Sequence, residues 1–272
     1  MSIIVGLDIG GSTTKIVGLD NGRMISKELV KASDPVASAF GALGKFISQN
    51  QLELQAIERI MVTGVGASYL QGNLLGILTI RAAEFRAIGL GGLYVSGLPE
   101  AVIVSMGTGT AIVKASGSRV EHLIGSGVGG GTLLGLSNRM INVRDFSLFT
   151  ELAERGDLSH IDLAIRDITR DGVPGLPPET TASNFGKADD SATHEDIALG
   201  IVNLVFQSVG TAAVLAARMS GIKPIVFTGN LTLVNQGKRV LNEFASLYKV
   251  DIIVPESAEF ATAVGAALCP VE

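Results

Sequence analysis

Three glycine-rich runs hold the residues best suited to chemistry in this 272-residue chain. The first is Asp8-Ile9-Gly10-Gly11-Ser12-Thr13-Thr14-Lys15. Glycine lets a backbone come close to an anion, and the N–H groups with the Ser12 and Thr13 hydroxyls are donors for phosphate oxygens. Lys15 adds a point charge. Asp8 ends an apolar strand and is suited to hold Mg²⁺ directly or through water. Taken alone, the run also fits an ordinary glycine hairpin capped by an aspartate.

The second run, Gly107-Thr108-Gly109-Thr110, follows the same logic without a carboxylate, since Ser105 and Met106 precede it. A simple turn explains it as well as a phosphate contact does. The third, Gly125-Ser126-Gly127-Val128-Gly129-Gly130-Gly131-Thr132, leads into Leu133-Leu134-Gly135-Leu136, which has helical character. Glycines that open a helix bring backbone amides to an anion at the positive helix end. No Gly-Lys-Ser/Thr follows, so this is not a P-loop. It also lacks the strand–helix–strand setting, with an acidic residue about 20 positions on, of a dinucleotide fingerprint. A flexible linker would carry more polar residues.

The elements that must position these runs read as α/β. Strands are expected over residues 2–8 and 14–20 around the first glycine turn, with Asn21-Gly22 leading to a third strand. A helix over 35–48 and a strand over 57–62 follow, then a helix over 80–88. Strands over 101–105, 111–115 and 119–123 repeat the opening arrangement, so two like hairpins can face one ligand from opposite lobes. Helices are expected over 148–153 and 160–171, with a Gly/Pro-rich loop over 171–178. The remainder alternates: helix 197–217, strand 225–228, helix 237–248, strand 250–254, helix 257–268.

Composition narrows the function classes. Hydrophobic residues make up 47% and charged ones 17%, which excludes extended disorder. A net charge of −5, aromatics at 5% and no tryptophan give no basis for nucleic-acid binding. Cys269 is the single cysteine, so an internal disulfide and a thiolate-rich metal site are both impossible. A strand is expected to begin at Ile3 without a basic and apolar leader, so no signal peptide is expected. The apolar helix over 197–217 contains Asn203, Gln207 and Ser208 and reads as a core or dimer helix, not a membrane span. The expectation is a soluble, cytoplasmic protein.

Together the runs resemble the type II pantothenate kinases of the actin-like ATPase superfamily, over essentially the whole chain. The residues carrying the resemblance are Asp8-Ile9-Gly10-Gly11, Glu84-Phe85, Met106-Gly107-Thr108-Gly109-Thr110, Gly129-Gly130-Gly131, Thr181-Ala182-Ser183-Asn184-Phe185-Gly186 and Phe260-Ala261-Thr262-Ala263-Val264-Gly265-Ala266. The resemblance implies two actin-like, ribonuclease-H-like lobes with ATP between them, expected over residues 1–115 and 116–272, the second carrying dimerisation helices. It implies a homodimer that phosphorylates the primary hydroxyl of pantothenate with MgATP, the first step of coenzyme A synthesis. Glu84 matches the catalytic glutamate that accepts the proton of the attacking hydroxyl. Asp8, Gly10, Gly11, Ser12, Thr13 and Lys15 would then line the phosphates, with Asp8 on the metal. Thr108, Gly130, Gly131, Thr132, Leu133, Leu134, Phe146 and Asn230 match nucleotide-contacting positions.

One position departs from that pattern. Where the family can have an arginine reading the acceptor carboxylate, seven positions before the triple glycine, this chain has His122. Arg119 lies three residues away and so on the opposite face of a strand. Histidine donates one hydrogen bond to the acid and lacks the bidentate fork; a plain strand residue is the alternative. His160 and His194 read as caps or surface residues, and no Gly-x-Ser-x-Gly elbow supports serine chemistry. Two rivals remain. A sugar kinase of the same superfamily often carries a Cys/His zinc motif, absent here. A dehydratase activator needs cysteines for a shared iron–sulfur cluster, and one per chain is too few.

Overall fold

The protein is described by a computed structural model over residues 2–11, 13–31 and 34–271, so Ser12 falls outside the described residues. Alternate apolar side chains start the first sheet: Ile3, Val5, Leu7 and Ile9 of β1 (Ile3–Ile9) turn one way into a buried core. β2 (Thr13–Asp20) and β3 (Arg23–Lys31) complete a meander, joined by Asn21-Gly22 with φ of 49° and 76°, as a tight hairpin requires. The following helix, α1 (Pro35–Gln49), has proline in its first turn and Asp34 accepting from the Ala37 N–H. β4 (Ile57–Thr63) lies parallel to β1, and β5 (Thr79–Arg81) parallel to β4.

The chain then builds a second sheet with the same plan. It runs through α2 (Glu84–Ser96), β6 (Glu100–Met106), β7 (Thr110–Ser116), β8 (Arg119–Ser126), α3 (Gly130–Ile141) and α4 (Phe146–Arg155). A small ribbon of β9 (Leu163–Ala164) and β10 (Thr181–Ser183) flanks the short α5 (Ile165–Ile168). The last elements are α6 (His194–Ser220), β11 (Pro224–Thr228), α7 (Asn235–Tyr248), β12 (Asp251–Ile253) and α8 (Ala261–Leu268). The first sheet has the order β3-β2-β1-β4-β5 and the second β8-β7-β6-β11-β12. Each begins with an antiparallel meander and ends with two parallel additions.

Each sheet is covered on both faces, which explains the long apolar runs. The first packs α1 on its outer face, around Leu43 and Phe46. The second packs α6 and its neighbours on its outer face, around Phe149, Phe206 and Phe227. Between the sheets lie α2 and α8, which cross at backbone distance. A Cβ on Gly91 would lie 1.8 Å from the Ala261 carbonyl oxygen, and one on Gly265 would lie 1.7 Å from that of Ala87. β6 and β7, on the first side of a division at residue 115, are hydrogen-bonded into the second sheet, and α8 packs against β1 through Gly6 and Ala263.

Two expected helices turn out differently. Within 80–88, residues 79–81 form β5, held by backbone bonds such as Ala82 N–H to the Val62 carbonyl, and the helix starts at Glu84. Within 160–171, the Asp162 carboxylate accepts from the Phe185 N–H and from Asn203 Nδ2. That pull ties the segment to the β10 loop and to α6, and only one short helical turn survives. The apolar helix is α6, 27 residues long; by length and composition it could span a membrane, but 61% of its most apolar stretch is buried inside the protein.

Candidate active site

The floor of the inter-sheet space is a row of side chains at the end of the first sheet. Asp8 pairs in register with Lys15 on β2 and with Thr63 on β4, on the face that Gly6 turns toward α8. Lys15 Nζ lies 3.4 Å from Asp8 Oδ2, with both residues buried. The turn beyond them is closed by the Gly10 N–H donating to the Thr13 carbonyl. A Cβ on Gly11 would lie 3.9 Å from Thr108 Oγ1, so the two hairpin turns face each other across the cleft. Asn230, just after β11, also reaches across: its Nδ2 donates to Thr13 Oγ1 at 3.2 Å.

Glu84 stands at one end of the cleft. It is the first residue of α2 and, with Thr63, Gly64, Val65 and Arg81, lines a cleft of about 260 Å³. Its side chain is exposed at the mouth, yet the protein around it removes enough water to raise its carboxyl above the ordinary 4.5. The Asp8 charge pushes the same way, which puts the two carboxylates within electrostatic reach. Next to it, Phe85 stacks on His122 of β8, with ring centroids 4.0 Å apart and planes 13° apart. His122 shares its strand face with Val120, which packs on Gly89 of α2; Arg119 has the opposite parity.

The triple glycine serves contact more than hydrogen-bond donation. Gly130 N–H donates to the Gly107 carbonyl and Gly131 N–H to that of Thr108. Those two amides are therefore spent on the second hairpin turn. A Cβ on Gly129 would lie 2.8 Å from Gly109 backbone atoms, so only glycine lets α3 abut the turn. What remains for an anion there is the positive end of α3 itself. Thr132 Oγ1 holds the entry by accepting from the Gly129 N–H and donating to the Gly127 carbonyl. Leu133 is buried in the second core, while Leu134 and Phe146, the first residue of α4, pack at its edge. The larger cavity, about 520 Å³ beside α5, is lined by none of the expected site residues.

The donors suit a magnesium-bound nucleotide. Among the described residues no group of three or more His, Cys, Asp or Glu side chains forms a metal cage. Mg²⁺ bound with a nucleotide needs only one or two carboxylates, the other positions going to phosphates and water. Asp8 meets that need. Asn230 Oδ1, Thr63 Oγ1 and Thr228 Oγ1 are buried polar atoms without a hydrogen-bond partner among the described residues. The last two belong to a repeat: in Thr63-Gly64 and Thr228-Gly229 the threonine ends a parallel strand and a glycine follows. The glycines have φ of 85° and 91°, and each presses on the preceding strand of the meander.

Comparisons with known proteins show the family and the fold. The Fumble family model matches residues 98–268. The type II pantothenate kinase of Staphylococcus aureus (strain USA300) is 30% identical, over 96% of this chain and 97% of its own length. The chain belongs to the type II pantothenate kinase family. Solved structures show the fold alone. The activator of 2-hydroxyisocaproyl-CoA dehydratase from Clostridium difficile, with bound ADPNP, superposes with a TM-score of 0.71 at 22% identity, covering 98% of this chain and 93% of that one. A ROK family glucokinase from Streptomyces griseus, in complex with glucose and AMPPNP, does so with a TM-score of 0.62 at 12% identity, covering 97% and 98%. The fold of this family member is thus the actin-like one.

Proposed function

We propose that this chain transfers the γ-phosphoryl group of ATP to the primary hydroxyl of pantothenate, forming 4′-phosphopantothenate. The observation that carries the reading is the apposition of Glu84 and Asp8 below two facing hairpin turns, in a chain that matches this family over 96% of its residues. Glu84 takes the proton of the hydroxyl as its oxygen bonds to phosphorus and the bond to the leaving ADP breaks. Loss of water around it, and the nearby Asp8 charge, raise its pKa and so make its carboxylate a better base. Gly10, Gly11, Thr13 and Lys15 meet the phosphates from one lobe, with Ser12 in the same run. Thr108, the Gly130–Leu134 stretch, Phe146 and Asn230 meet the nucleotide from the other. Asp8 would hold Mg²⁺, which would supply neutralisation of the phosphate charge.

His122, lying flat on Phe85 beside Glu84, is the candidate reader of the acceptor's acid group. A homodimer is proposed as well: α6 leaves Leu215 and Met219 54% and 88% exposed on one stripe, as a surface for a second copy. A cytoplasmic location fits a chain whose one cysteine, Cys269, is buried. The test is transfer from labelled ATP to a panel of acceptors. Label on pantothenate is expected. Label only on another hydroxyl compound would keep the kinase and replace the acceptor, and no transfer to any acceptor would overturn the reading.

A further inference from the structure

The row Lys15–Asp8–Thr63 contains an asymmetry. Lys15 grips Asp8 through Oδ2 from the β2 side. Oδ1 points the other way, since a Cβ on Gly64 would lie 2.7 Å from it. Thr63 is the residue of β4 in register with Asp8, it is 2% exposed, and its hydroxyl has no hydrogen-bond partner among the described residues. A valine would fill the same space without burying an unmatched hydroxyl, so the oxygen costs stability in the ligand-free protein. Thr228 repeats the arrangement in the second lobe: it is in register with Ser105, wholly buried and unpartnered among the described residues. Two such hydroxyls at matched positions, each before a glycine of positive φ, are a device of the fold and not a packing accident.

We infer that Thr63 is a positioning residue for phosphoryl transfer, its hydroxyl donating to Asp8 Oδ1 when the site is loaded. The inference rests on the kinase reading above. With Lys15 on Oδ2 and Thr63 on Oδ1, the carboxylate is fixed from both flanks. Its charge then stands where it must act, and it does not swing toward Glu84, whose own carboxyl it already repels. Residues that orient a metal-binding carboxylate are worth about ten- to a hundredfold in affinity or activity.

The test compares Thr63→Val, which keeps shape and removes the hydroxyl, with Thr63→Ser, which keeps the hydroxyl. Three readouts are taken: the melting temperature without ligand, the rise in melting temperature with MgATP, and steady-state transfer to pantothenate as a function of Mg²⁺. For Thr63→Val we expect an unchanged or higher ligand-free melting temperature and a smaller rise with MgATP. Its kcat should fall about ten- to a hundredfold, with more Mg²⁺ needed for half-saturation and KM for pantothenate within about twofold. Thr63→Ser should stay within about threefold of wild type. Undiminished kcat and an undiminished MgATP shift in Thr63→Val would overturn the inference. So would a serine variant as impaired and as destabilised as the valine one, which would mark a packing role. Wild-type protein inactive on every acceptor would defeat the kinase reading instead, and the MgATP shift would still decide for or against Thr63.

Discussion

The two sheets are built to one plan and equipped differently. In the first, the row facing the cleft is Lys15–Asp8–Thr63; in the second, the residues in the same register are Ala111–Ser105–Thr228. Turn, strand order and the glycine after the parallel strand recur, but the charged pair occurs once. A duplicated scaffold thus presents two facing turns, while the carboxylate that repels Glu84 stands on one side only.

Breaking the equipped side should have the largest effect. Glu84→Gln keeps size and reach but cannot accept a proton, so transfer should fall by about two to four orders of magnitude while ATP affinity, measured by calorimetry, survives. Because the folded pKa of Glu84 is raised, the charged form costs stability above that pKa and nothing well below 4.5. The variant should therefore melt slightly higher than wild type at neutral pH, with the difference vanishing in acid. Equal melting curves at all pH would show that the protein does not desolvate the Glu84 carboxyl.

Asp8→Asn should lower transfer at least about a hundredfold and raise the Mg²⁺ requirement. Ser105→Ala, its counterpart in the second row, should change the rate only a few-fold; equal losses at both positions would dissolve the contrast. The wild-type pH profile of kcat/KM should lose activity as pH falls through a value above the ordinary 4.5 of glutamate, because the base must be ionised. In the residual activity of Asp8→Asn that acid limb should move down, since the repelling charge is gone, yet stay above 4.5 because burial remains.

Smaller effects are expected where the sides meet. Asn230→Ala deletes the bond to Thr13 across the cleft and should raise KM for ATP about three- to tenfold with little change in kcat, the worth of one hydrogen bond. His122→Arg should lower KM for pantothenate a few-fold by adding a charged fork that can still lie flat on Phe85, with ATP binding unchanged. An unchanged KM would assign recognition of the acid to another group.

Much of this design was legible in the sequence because glycine turns and apolar strands have local signatures. Asn21-Gly22 set its hairpin, and the two glycine runs fell on facing turns as expected. What escaped was decided by distant partners. β5 has three residues and no alternation to betray it; backbone bonds to β4 make it a strand, while Ile80, Glu84 and Ile88 imitate a helix. Residues 160–171 look helical until Asp162 turns to meet Asn203, 41 positions away. The charge coupling of Asp8 to Glu84 joins residues 76 positions apart, and only the resemblance to a family singled out Glu84. Thr63 had one faint signal, a Thr-Gly pair repeated at Thr228-Gly229, too short to weigh alone.

The crossing of α2 and α8 has a mechanical meaning. Gly91 and Gly265 bring main chain against main chain at the crossing, with Ala87 and Ala266 buried beside them. Glu84 stands seven residues from Gly91, a radius of about 10 Å at the helical rise. A turn of about 10° between the lobes would sweep its carboxyl by about 2 Å, with only Ala82 and Ala83 between it and β5 to take up the slack. That sweep exceeds the tolerance of a hydrogen bond. If Glu84 is the base proposed above, the angle between the lobes decides whether its carboxyl reaches the acceptor hydroxyl.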